Sequence, residues 1–157
     1  MFRVLDAVQA IAITLWVGAL WTAGLLVAPL LFRMLDDRAL AGTIAGSLFS
    51  TTALIGIVCG VCILATWFYS QRGGALRSRY LAWLVVAMLV ITLAGQFGVQ
   101  PVLAGLREQA FPQPVMQTTL AGSFARWHMV AGILYIVECL LGAALVILYR
   151  FVGAGRD

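Results

Sequence analysis

The chain has 157 residues, 63% of them hydrophobic and only 10% charged, with a mean hydropathy of +1.03. A soluble domain carries about 25% charged residues, so composition excludes a water-soluble globule and points to a single membrane-embedded bundle. The net charge of +4 rests on arginine without any lysine. These arginines flank apolar stretches, where they orient helices in lipid, which leaves no nucleic acid among the expected partners.

The first predicted span covers 7–32. Gln9 and Thr14 interrupt it mildly, and Gly18, Thr22 and Ala23 admit a neighbouring helix. Its length exceeds the roughly 7 to 15 apolar residues of a signal-peptide core, so it reads as a retained span. Pro29 near its exit is expected to bend or end the helix. Asp36-Asp37-Arg38-Ala39-Leu40 then predicts an N-capped helix over 36–46, lying along the membrane surface, with Leu40, Ile44 and Leu48 at four-residue spacing.

The second span covers 48–69 and carries Gly56-x-x-x-Gly60. That spacing lets helices pack closely, within the bundle or between copies of the chain. The loop 71–79 follows, with Arg72, Arg77 and Arg79 around Gly73-Gly74. The third span covers 80–99, with Thr92, Gln96 and Gln100 along one stripe. Pro101 and then Phe111-Pro112-Gln113-Pro114 predict a long irregular connection that contains Arg107 and Glu108. The fourth span covers 126–149 and ends at Arg150 and a short tail. The fold expected is all-α, a four-transmembrane-helix bundle forming a single membrane domain over 1–157. Arg3, Arg72, Arg77, Arg79, Arg150 and Arg156 fall on one side, and Arg33, Arg38, Arg107 and Arg126 on the other. That bias predicts a multi-pass protein with both termini in the cytoplasm.

The two halves echo one another. Val27-Ala28-Pro29-Leu30-Leu31 and Val99-Gln100-Pro101-Val102-Leu103 close the odd spans, and Ala45-Gly46-Ser47 and Ala121-Gly122-Ser123 open the even ones. The echo reads either as a duplicated helical hairpin or as a capping preference recurring at helix ends.

Leu15-Trp16-Val17-Gly18-Ala19-Leu20-Trp21, Val27-Ala28-Pro29-Leu30-Leu31-Phe32 and Ala41-Gly42-x-x-Ala45-Gly46-x-Leu48-Phe49 resemble the DUF4149 (TMEM205-like) membrane family. Phe124-Ala125-Arg126-Trp127-His128 followed by Leu134-Tyr135-x-x-Glu138 resembles the fourth helix of its bacterial members. The resemblance implies a four-helix protein of the bacterial inner (cytoplasmic) membrane with a largely undefined biochemical role. Eukaryotic members are associated with resistance to platinum drugs, which implies handling of soft metals by analogy.

The fourth span holds the only histidine, His128, and a mid-span carboxylate, Glu138. An ionisable residue near the bilayer centre costs roughly 2.5 to 3.5 kcal/mol to insert, so Glu138 marks a functional site by default. At 100° per residue His128, Ala131, Tyr135, Glu138 and Gly142 share one quadrant of the helix. Glu138 lies roughly 15 Å deeper than His128, with Tyr135 between them, and Gln96 and Gln100 reach the level of His128. The spacing predicts a polar path from His128 past Tyr135 to Glu138, lined by Gln96 and Gln100 with Arg126 at its edge, that moves or senses a small solute or metal ion. The alternative is structural: His128 hydrogen-bonds a glutamine or a carbonyl and locks two helices together.

Cys59 and Cys62, one turn apart, reach the depth of Glu138 together with Met88. Thiolate and thioether donors suit copper(I), while free thiols in an apolar helix serve equally well as small core side chains. No hydrolase triad, phosphate loop or metalloprotease motif is present, so the sequence does not point to an enzyme and requires no cofactor. A single histidine excludes a bis-histidine haem within one chain and leaves His128 with Met116 or Met129 for the oxidoreductase alternative. A non-catalytic assembly or scaffold protein is the remaining class, with Gly56 and Gly60 in oligomer contacts. The expected partners are the lipid bilayer and further copies of the chain.

Overall fold

The computed structural model describes residues 2–70 and 76–153. Arg72, Gly73-Gly74 and Arg156 lie outside the described residues, as do the side chains of Arg3 and Arg77. Hydropathy decides the architecture. Four apolar helical runs, Val4–Met34, Arg38–Tyr69, Arg79–Ala110 and Ala121–Arg150, form an all-α four-transmembrane-helix bundle. At 1.5 Å per residue each run is roughly 45 Å long, so it tilts within the roughly 30 Å hydrocarbon core or projects from it.

The odd runs are built in three pieces. α1 (Phe2–Trp21) continues through a π-helical segment, Thr22–Val27, into α2 (Ala28–Met34). α4 (Leu76–Leu93) continues through a second π-helical segment, Ala94–Val99, into α5 (Gln100–Ala110). Proline is the cause in both. In a regular α-turn the Pro29 ring would press on the Leu25 carbonyl and Pro101 on that of Phe97. A wider turn removes the clash, and the Ala28 and Gln100 amides donate to Ala23 O and Gly95 O, five residues back.

The helix therefore runs past each proline. Pro29 does not end span one, and the irregular connection expected from Pro101 begins only after Ala110, so Arg107 and Glu108 are helical. The two π segments begin at Thr22 and Ala94, a separation of 72, and Pro29 and Pro101 are separated equally. The echo between the halves is thus one of backbone geometry inside helices, which capping preference at helix ends does not produce.

The even runs are single helices of equal length, α3 (Arg38–Ser70) and α6 (Ala121–Gly153), 33 residues each. The separate surface helix expected over 36–46 is the opening of α3, because no residue between Ala45 and Phe49 breaks the turn. Asp37 caps it as the sequence suggests, its Oδ1 accepting from the amides of Ala39 (2.8 Å) and Leu40 (3.1 Å). Ala41 and Ala45 face inward while Leu40 and Ile44 are exposed.

The helices close a ring in which α1 packs on α3, α3 on α4, α4 on α6, and α6 back on α1. Trp16, Ile63, Val85, Met88 and Leu145 are fully buried at its centre. Lipid tails are as apolar as these side chains, so close packing rather than hydrophobicity holds the ring. The Trp16 indole lies in the notch left by Gly56 and Gly60. A Cβ at Gly56 would sit 3.0 Å from Trp16 Cδ1, and one at Gly60 would sit 3.0 Å from Trp16 Cζ3 and 2.6 Å from Leu89 Cδ2. The glycine pair is therefore filled by its own chain and offers no notch to a second copy.

Candidate functional site

α6 is tied to α1 by side chains reaching main-chain carbonyls. Tyr149 Oη donates to Asp6 O at 2.8 Å, Trp21 Nε1 donates to Cys139 O at 3.3 Å, and Tyr135 Oη donates to Leu20 O. The Tyr135 ring occupies the space a side chain at Gly24 would need and meets Phe49 edge-on, centroids 5.0 Å apart. Leu20 lies just before the first π segment, so the bond fixes Tyr135 against the place where α1 widens.

One turn further along α6, Glu138 faces the other neighbour. It is buried, and its Oε1 lies 2.5 Å from Thr92 Oγ1 on α4. Thr92 Oγ1 is also 2.9 Å from the Met88 carbonyl, so one hydroxyl proton serves two acceptors. Tyr135 and Glu138 therefore diverge, one to α1 and one to α4.

His128 stands apart from both. It is exposed and stacks on Phe124, with centroids 5.9 Å apart and planes at 9°, and the Arg107 guanidinium lies 5.4 Å from the same Phe124 ring. Arg126 Nη2 donates to Ser123 Oγ of its own helix at 3.4 Å.

Gln96 sits in the second π segment. Its Nε2 donates to Ser50 Oγ on α3 at 2.7 Å, while its Oε1 is buried and receives no donor. Gln96, Gln100, Ser50, Ser47, Thr43 and Arg107 line a groove of about 380 Å³ between α3 and α5. The Arg107 side chain reaches back to Gly46, where a Cβ would sit 3.4 Å from Nη1. The structure thus joins Gln96 and Gln100 to Ser50 and Arg107, and leaves His128 and Arg126 outside that cluster. Two polar sites result: Thr92 with Glu138 between α4 and α6, and Gln96, Gln100 and Arg107 with Ser50 on the side of α3. Among the described residues neither Glu138 nor Arg107 has an oppositely charged partner.

Cys59 and Met88 are packed in the apolar core, and no three His, Cys, Asp or Glu side chains converge among the described residues. Met116 and Met129 are exposed, like His128.

A family model described as a domain of unknown function, DUF4149, matches residues 11–112. The chain belongs to the DUF4149 family. The DUF4149 match takes in both π segments, Gly56 and Gly60, and Thr92 through Arg107, and it stops before α6 and Glu138. No curated protein and no solved structure matches the chain.

Two residues of the DUF4149 groove escape the sequence reading. Arg107 is hidden by the loop expected after Pro101, and Ser50 carries no periodic signal. Extending the stripe of Thr92, Gln96 and Gln100 by one and two further turns, to Ala104 and Arg107, is the pattern that finds the first of them.

Proposed function

We propose that this DUF4149 protein is a TMEM205-like transporter-like protein of the bacterial inner membrane, moving or sensing a small polar solute or metal ion along a polar path from Arg107 to Glu138. The single observation that carries the reading is Gln96 Oε1, a buried acceptor without a donor, one turn along the helix from the Thr92 that meets Glu138. Buried polar groups in native proteins are nearly always partnered, and in lipid an unpartnered one costs several kcal/mol, so such a group invites a passing donor or cation. Glu138, with only a hydroxyl as its partner, is the terminal acceptor of the path.

In this reading Tyr135 and His128 support the path rather than line it: Tyr135 holds α6 to α1, and His128 with Arg126 borders the outer end of α6. Both termini face the cytoplasm on the arginine bias, which puts the groove on the opposite side. Four helices scarcely enclose a pathway, so the working form is a homo-oligomer.

The test is tolerance to copper and platinum salts in cells lacking their own copy and expressing Glu138→Gln or Gln96→Leu at wild-type levels. Both variants are expected to lose the wild-type phenotype. Wild-type behaviour from both would sink the polar path.

A further inference from the structure

The groove between α3 and α5 shares Gln96 and Arg107 with the polar path. It pairs a cation with an orphaned acceptor. Arg107 has no carboxylate partner among the described residues and lays its guanidinium against Gly46. Ser50, one turn from Gly46 on α3, holds the Gln96 amide whose Oε1 is without a donor. Gly46 and Ser50 lie roughly 6 Å apart along α3, and Arg107 and Gln96, which meet them, line the same groove. The groove, about 380 Å³, is shallow and open, so it accommodates a head group without enclosing it.

Its surroundings indicate where a ligand comes from. Ile44 on α3, Leu54 one turn on from Ser50, and Phe97 beside Gln96 are all exposed, at 40%, 52% and 65%. These apolar side chains belong to the lipid-facing surface, so the groove opens sideways into the bilayer as well as toward its edge. A ligand arriving this way brings its own hydrocarbon. The cation requires an anionic oxygen, and Gln96 Oε1 requires an N–H or O–H donor a few ångströms from it.

We propose that this groove binds the head of a membrane phospholipid whose phosphate meets Arg107 and whose terminal amine or hydroxyl donates to Gln96 Oε1, as phosphoethanolamine and phosphoglycerol heads do. A Cβ at Gly46 would touch the guanidinium at van der Waals distance, so a larger side chain there narrows the groove beside it. The acyl chains stay in the surrounding lipid beside Leu54 and Phe97. This inference goes beyond the polar path: it shares the groove but requires nothing of Glu138.

The test is native mass spectrometry of the full chain in mild detergent, titrated separately with phosphatidylethanolamine, phosphatidylcholine, diacylglycerol and water-soluble glycerophosphoethanolamine. Phosphatidylcholine keeps the phosphate but has no donor, and diacylglycerol has no phosphate. The wild type is expected to retain one phosphatidylethanolamine per chain, about tenfold better than phosphatidylcholine. Gln96→Leu should erase that difference, Arg107→Gln should lower retention of both lipids by about tenfold, and Arg107→Lys should lower it less. Gly46→Val leaves the charge in place and should also lower retention, which covers the case in which Arg107→Gln fails to fold.

Equal retention of phosphatidylcholine, or of diacylglycerol, by the wild type would overturn the proposal. Binding of glycerophosphoethanolamine as tightly as the lipid would overturn the lipid source and assign the groove to a soluble phosphate. Metal tolerance of Glu138→Gln cells is read independently, so either proposal can fail without the other.

Discussion

The hairpin of α1 and α3 and the hairpin of α4 and α6 share one plan and join their helices by different chemistry. Both begin with a helix widened before a proline, and both end with an unbroken helix of 33 residues. Residues 72 apart show where they part. Trp16 and Met88 are both fully buried. Leu20 offers only a carbonyl, whereas Thr92 offers a hydroxyl to Glu138; Gly24 offers space for Tyr135, whereas Gln96 offers an amide to Ser50. The first hairpin uses this face for packing and the second for polar groups. Each half leaves one buried polar atom without a partner, the Trp16 Nε1 donor in the first and the Gln96 Oε1 acceptor in the second.

Substitutions test that division, and the largest effect is expected in the first hairpin. Trp16→Ala should cost about 3–5 kcal/mol by emptying the glycine notch, and Gly56→Leu should be similarly damaging because its side chain has nowhere to go. Thermal unfolding in detergent measures both. Met88→Leu, the volume-conserving change at the matching position, should stay under about 1.5 kcal/mol. If Met88→Leu matched Trp16→Ala, the two halves would be equally interlocked and the contrast would be lost.

Next in size is Thr92→Val. It leaves the Glu138 carboxyl buried without a partner and should cost about 1–3 kcal/mol. Combining it with Glu138→Leu should recover much of the loss, read as a double-mutant cycle on the melting temperature. Tyr135→Phe removes a single bond to Leu20 O and should cost about 1 kcal/mol. The smallest change in stability belongs to Gln96→Leu, which loses the bond to Ser50 but also removes the unpaired Oε1, so the two effects oppose and the result should fall within about 1 kcal/mol of wild type in either direction. A large destabilisation there would mean that Gln96 serves packing, and that the second hairpin resembles the first.

Much of this molecule is legible in its sequence, and the reasons differ from residue to residue. Four long apolar runs need no tertiary knowledge, and the Asp37 cap is local chemistry. Glu138 stands out because a carboxylate at mid-span has few bland explanations. Its partner does not stand out, since nothing in one helix fixes which neighbour that helix turns a given face toward. Tyr135 and Glu138 share a quadrant on α6, yet that quadrant spans the boundary between α1 and α4. Pro101 misleads for another reason. Proline ends most helices, and the wide turn that lets it pass is paid for by six residues before it, none of which carries a distinctive sign. With an irregular connection expected after Pro101, Arg107 has no helical register to place it beside Gln96.

The wide turns also act as a phase shifter. An α-helix that takes in one surplus residue as a bulge rotates everything beyond it by about 100° relative to everything before it. In the second hairpin the core face that ends near Thr92 and the groove face that runs through Gln100 to Arg107 are set relative to one another by that single offset. A one-codon deletion within 94–99 would leave the buried layer of Val85, Met88 and Leu89 where it is and swing Arg107 away from Gly46. The same offset points Leu103 and Ala110 into the bundle, so the angle of the site and the packing of α5 are set together.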